Sequence, residues 1–105
     1  MTKCFVFAAV LAACTSAAST GITSASLSCD QTLTYDSFGS AFIATNCLSC
    51  HASQEQPTLS TQAQVKSNIS RILDEAVYTT AMPQDNGIST AERQMLGDWL
   101  ACGAP

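Results

Sequence analysis

Cys47-Leu48-Ser49-Cys50-His51 is the stretch on which the reading of this chain turns. Two thiols stand three positions apart, and the residue after the second carries the sole imidazole of the sequence. The pattern C-x-x-C-H is the attachment signature of c-type haem. Each thiol can add to one vinyl group of the macrocycle, and the adjacent histidine then presents its imidazole to the iron. Covalent attachment makes the ring part of the fold, so burying it is also folding stability. Other chemistries fit the same residues less well. A thioredoxin-like C-x-x-C needs a βαβ context that the flanking sequence lacks. Zinc needs a fourth ligand, and with His51 already in the motif it would have to recruit Cys29 or Cys102 as well. A structural disulfide between Cys47 and Cys50 is a rarer use of this spacing.

Working outward, the chain has 105 residues, a formal net charge of −4 and 47% hydrophobic content. That suits one small domain and excludes enzymes built from several lobes. A nucleic-acid partner is not expected, because no stripe of Lys and Arg exists to neutralise phosphate. The first residues read as an export signal, with Lys3 as the positive n-region and Phe5 to Ala13 as the apolar run. That run is well short of the roughly 18–20 residues of a spanning helix. Leu11-Ala12-Ala13-Cys14 resembles the lipobox of bacterial lipoproteins, in which the cysteine is diacylated and becomes the new N-terminus. On this reading residues 1–13 are signal and Cys14 is the lipidation site, carrying the two chains that stable anchoring needs. An ordinary secretory signal cut after small residues is the alternative. Residues 15–28 are almost wholly Ser, Thr, Ala and Gly without periodicity, which suggests a flexible tether. The working domain is then 29–105. Loss of Lys3 leaves three basic against eight acidic residues, a net charge of −5. A domain of this size has a small apolar core and usually needs a staple.

Helical periodicity accounts for the rest of the domain. Tyr35, Phe38 and Phe42 recur at i, i+3 and i+7, which predicts a helix over about 36–45 ending at the haem motif. Val65, Ile69, Ile72 and Leu73 predict a second over about 61–75. Ser89-Thr90-Ala91-Glu92 is a capping box. The helix it opens carries Leu96, Trp99 and Leu100, should reach about Cys102 and should stop at Gly103. Met95 falls within that pattern as core filler. No β periodicity is present, so the expected class is all-α.

Together these features resemble the small class I cytochrome c family over about 29–105. The aromatic helix before the motif, the C-x-x-C-H, a Met-Pro pair about thirty residues later and a last helix with Leu96-x-x-Trp99-Leu100 carry the likeness. The resemblance implies three main helices wrapped around one covalently attached haem c. Cys47 and Cys50 would be its thioethers, His51 the proximal axial ligand and Met82 the distal one. Met82 lies in Thr79-Thr80-Ala81-Met82-Pro83, a loop free to reach inward, whereas Met95 is within a helix. His/Met ligation raises the reduction potential relative to bis-imidazole. Gly39 would let the last helix cross closely over the first. Gln56-Pro57-Thr58-Leu59 looks like the family's Gly-Pro-x-Leu, whose proline carbonyl accepts the second imidazole proton. Here Gln56 replaces the glycine and the loop from His51 is short. Cys29 and Cys102 bracket helices that should pack together, so a disulfide between them is expected, worth about 4 kcal/mol in the chain-entropy model.

The function these readings imply is one-electron transfer outside the cytoplasm, on the periplasmic side of a bacterial membrane. An enzyme is not expected, because no second histidine can act as distal base and no carboxylate pair stands at a telling spacing. Asp74, Glu75, Asp85 and Asp98 read as solvated charges. Redox partner proteins with a basic docking face would complement the acidic domain, and the membrane would be engaged only through the lipid. The alternative is a haem-based sensor or small-ligand binder whose Met82 is displaceable. A third reading is an anchored, disulfide-stapled interaction module without haem.

Overall fold

Every regular element of the computed structural model is helical, over the described residues 18–84 and 87–105. The signal at 1–13, Cys14 and Asp85 lie outside the described residues. A π-helical turn at Tyr35–Gly39 runs straight into α1 (Ser40–Asn46), and α2 (Leu48–His51) follows at once. Next come α3 (Gln62–Ser67) and α4 (Ile69–Ile72), which is prolonged by a second π-helical turn at Leu73–Val77. The last and longest is α5 (Thr90–Ala101). Among the described residues no strand forms, and one isolated bridge joins Ser19 to Thr79. The all-α class expected from periodicity is therefore observed.

Local chemistry sets the boundaries. Thr34, Thr61 and Ser89 each cap a helical start by accepting the N–H three residues on, at 3.0, 3.2 and 3.1 Å. At Ser89 the reciprocal bond is present too, since Glu92 Oε1 accepts from the Ser89 N–H at 3.1 Å. Gly103, at φ 86°, closes α5 with a Schellman pair: its N–H donates to Leu100 O at 2.9 Å, and that of Ala104 to Trp99 O at 3.2 Å. The helix expected over about 61–75 is instead interrupted at Asn68 (φ −122°, ψ 18°) and then runs on to Val77. Ser67 Oγ and Asn68 Nδ2 donate back to the carbonyls of Ala63 and Gln64, at 2.9 and 2.8 Å. Such bonds offer the backbone an alternative to the helical ladder.

One crossing and one disulfide organise the core. Trp99, fully buried, lies over Gly39, where a methyl group would overlap the indole, with even Cε2 only 2.8 Å away. Tyr35 and Phe38 pack on the same ring at centroid distances of 6.4 and 5.9 Å. The Cys29–Cys102 disulfide is formed, with the Cα atoms 4.7 Å apart, and it ties the start of the domain to the end of α5. Met95 departs from expectation. It is 43% exposed, because the inward stripe of α5 is taken by Arg93, Leu96, Gly97 and Leu100.

The stretch expected to be tether is chain docked on the body from Ala18 onward. Thr20 N–H donates to Tyr78 O at 3.0 Å, its hydroxyl to Val77 O at 2.6 Å, and Thr80 N–H to Ala18 O at 2.9 Å. Ile22 joins the core, and Leu27 fills the space above Gly97 that a Cβ would occupy. A composition poor in large residues hid these two apolar anchors. Among the described residues no helix is long and apolar enough to cross a membrane.

Candidate functional site

The C-x-x-C-H residues occupy the junction of α1 and α2. Cys47 ends the first helix and begins the second, at φ −124° and ψ −37°, and its carbonyl accepts from the N–H groups of Cys50 (3.2 Å) and His51 (2.9 Å). This single turn brings Cys47, Cys50 and His51 to the wall of one cavity of about 310 Å³, within the size range of cofactor sites. The remaining wall is mostly apolar. Phe42 comes from α1, Ile72 from α4, Ala76 from the turn after it, and Leu96 from α5, with Leu59 and Ile88 from loops. Met82 and Pro83 line the same cavity, whereas Met95 does not. Glu55, Arg71 and Glu75 supply charge among its lining residues.

His51 is held in a defined protonation pattern. Its Nδ1 lies 2.8 Å from the carbonyl oxygen of Pro57 and 3.3 Å from that of Glu55. Both neighbours can only accept, so Nδ1 carries a proton, and in the neutral ring Nε2 keeps its lone pair. The short loop achieves this by folding back. Leu59 N–H donates to His51 O at 2.7 Å and Ser60 Oγ to Ala52 O at 3.0 Å. Gln56 in place of the glycine is accommodated because its side chain is exposed.

The two motif cysteines differ. Cys47 is a free thiol, and burial pushes its pKa up to about 11. A thiol so reluctant to ionise is a poor nucleophile for dithiol exchange at neutral pH. Cys50 is disulfide-bonded. That state and a thioether are mutually exclusive, so thioether formation would require Cys50 in its reduced form. Among the described residues, no group of three or more His, Cys, Asp and Glu side chains is placed to hold a metal ion.

Sequence reasoning counted Arg93 only as a charge, and the fold gives it a place beside the site. It is 1% exposed, and Nη1 donates to the carbonyls of Ala76 (2.8 Å), Thr79 (3.3 Å) and Met82 (2.6 Å). Burial lowers its pKa, yet a guanidinium begins so far above neutrality that it remains a cation. A signal existed in the sequence: Arg93, Leu96 and Leu100 share the i, i+3, i+7 spacing, which places a charge inside an apolar stripe. Met82 is also fixed from its other side, because its N–H donates to Glu75 O at 2.7 Å. No family model, curated protein or solved structure matches this chain.

Proposed function

We propose that this protein is a mono-haem c-type cytochrome, a one-electron carrier working outside the cytoplasm. The observation that carries the proposal is the His51 ring, whose Nδ1 proton is committed to the Pro57 carbonyl on the wall of an apolar cavity shared with Cys47, Cys50 and Met82. Cys47 and Cys50, both reduced, would hold haem c by thioethers, with His51 and Met82 as its axial ligands. Bound there, the haem would supply one reversible electron at its iron. The chain's own part is to hold ligands and exclude water. The Pro57 carbonyl orients the imidazole. The thioether of Met82 is a soft, neutral donor that favours the ferrous state. Phe42, Ile72 and Leu96 make a low-dielectric wall, which disfavours net charge at the site.

With Arg93 buried, the exposed cations among the described residues are Lys66 and Arg71, so the surface is more acidic than the sequence count suggests. A redox partner with a basic face would complement it in brief, salt-sensitive encounters. If Cys14 is lipidated, only residues 15–17 separate it from the docked chain at Ala18. The domain would then be held close to the bilayer rather than swung on a long tether.

The test is expression with export and haem-attachment machinery, followed by intact mass and an anaerobic redox titration monitored by visible absorption. The expected result is the added mass of one haem, low-spin spectra in both states and one n = 1 transition. Colourless protein without that mass refutes the proposal. Coloured protein whose ferrous form binds carbon monoxide readily refutes the carrier role in favour of ligand binding.

A further inference from the structure

Arg93 sits where a charge is expensive to place. It projects from the inward face of α5 and is as buried as Leu96 beside it. An unpaired cation there would cost far more than an apolar side chain of the same size, so its partners must be specific. Those partners include the backbone carbonyls of Ala76, Thr79 and Met82, three points along the segment that runs from within the second π-helical turn and carries Met82 to the cavity. All three bonds come from the one Nη1 group, whose two N–H bonds are fixed in the plane of the guanidinium, a set geometry that an ammonium on a flexible stem lacks. The opposite side of the segment is held by Thr20, which binds the carbonyls of Val77 and Tyr78. The segment is therefore clasped between the last helix and the N-terminal chain, and the shortest of the three Arg93 bonds falls on Met82 itself.

We propose that Arg93 is a positioning residue that locks the Met82 segment onto α5, so that the methionine thioether stays at the cavity and is not exchanged for water or an external ligand. The proposal rests on the haem reading above. It follows from geometry in that Arg93 donates to three backbone carbonyls of the ligand-bearing segment. Its effect therefore passes through where Met82 is held. Losing even one charge-assisted bond to a buried carbonyl should raise the open fraction of the segment about tenfold to hundredfold.

The experiment uses the full-length, haem-loaded protein with Arg93→Met and Arg93→Lys. Far-UV circular dichroism and intact mass report helix and haem content. In Arg93→Met, with both unchanged, the thioether-to-iron charge-transfer band of the ferric form should weaken, and ferrous carbon monoxide binding should accelerate at least tenfold. The reduction potential should fall. Arg93→Lys keeps the charge and can reach fewer carbonyls, so it should lie between the two. A folded, haem-loaded Arg93→Met variant with the full band and wild-type exclusion of carbon monoxide overturns the proposal alone. A wild-type protein that lacks the band overturns the Met82 assignment and this proposal with it. If neither variant accumulates, hydrogen exchange on the wild-type holoprotein decides. The Met82 amide should exchange within tenfold of the Leu96 amide, and anything faster overturns the lock.

Discussion

Replacing Gly39 with alanine tests the crossing that builds the cavity, since Phe42 and Leu96 on the two crossing helices both line it. Gly39 has helical dihedrals (φ −62°, ψ −46°), so an isolated helix would gain about 1 kcal/mol from the substitution. The new methyl group, however, would overlap the Trp99 six-membered ring. Trp99 cannot swing aside: it is fully buried, flanked by Tyr35 and Phe38, and its Nε1–H donates to Pro105 O at 3.3 Å. Overpacking of this kind costs about 1–3 kcal/mol, and overlap with an immobile ring belongs at the upper end. The net loss is then about 2 kcal/mol, or about 8–16 °C in Tm for a domain of this size. Thermal unfolding of the two purified proteins, with the Cys29–Cys102 bond intact in both, measures it. The same substitution in a Trp99→Phe background, where the smaller ring leaves room, should lose most of its cost. Equal or higher Tm for Gly39→Ala in the wild-type background would refute the steric argument.

Three further outcomes follow from the same structure. Met82→Ala in the haem-loaded protein should abolish the thioether band, open the ferrous form to carbon monoxide and lower the reduction potential; an unchanged potential would show that another group ligates the iron. Cys29→Ser with Cys102→Ser reopens a separation of 73 residues and should lower stability by up to about 4 kcal/mol, read by urea titration, with the loss reduced because Tyr35 N–H still donates to Pro105 O. In haem-free protein Cys47 should be alkylated at pH 8 about two orders of magnitude more slowly than in the unfolded chain, because burial lifts its pKa to about 11 from the ordinary value of 9.0. The sign for stability follows: folding favours the protonated thiol, so this contribution is whole below the ordinary cysteine pKa and is lost as pH rises towards 11. Equal alkylation rates in the two states would contradict the burial of Cys47.

The fold and the candidate site were legible in the sequence to different depths. The Ser89 cap and the Gly103 stop depend on groups within about five residues of one another, and each is where its local signature put it. The Pro57 carbonyl was also reachable, since six residues separate it from His51 and the shortness of that loop leaves few ways to close it. The break at Asn68 was missed because apolar spacing continues across it while the side-chain bonds that cause it do not show in a hydrophobic pattern. Met95 was misplaced because neighbouring positions on a helix differ by about 100° in facing, and only packing shows which side of the stripe is covered.

By itself the sequence determined the helical class, the two ends of the last helix and the chemistry offered by Cys47, Cys50 and His51, because those properties arise from interactions along a few neighbouring residues. The tertiary structure decided that Ala18 to Ser28 lie against the body, that Gly39 receives Trp99 and that Arg93 grips the Met82 segment. The acceptors of Arg93 lie 11 to 17 residues away along the chain, and the Val77 carbonyl is 57 residues from Thr20. Contacts at such separations depend on how the helices pack in space.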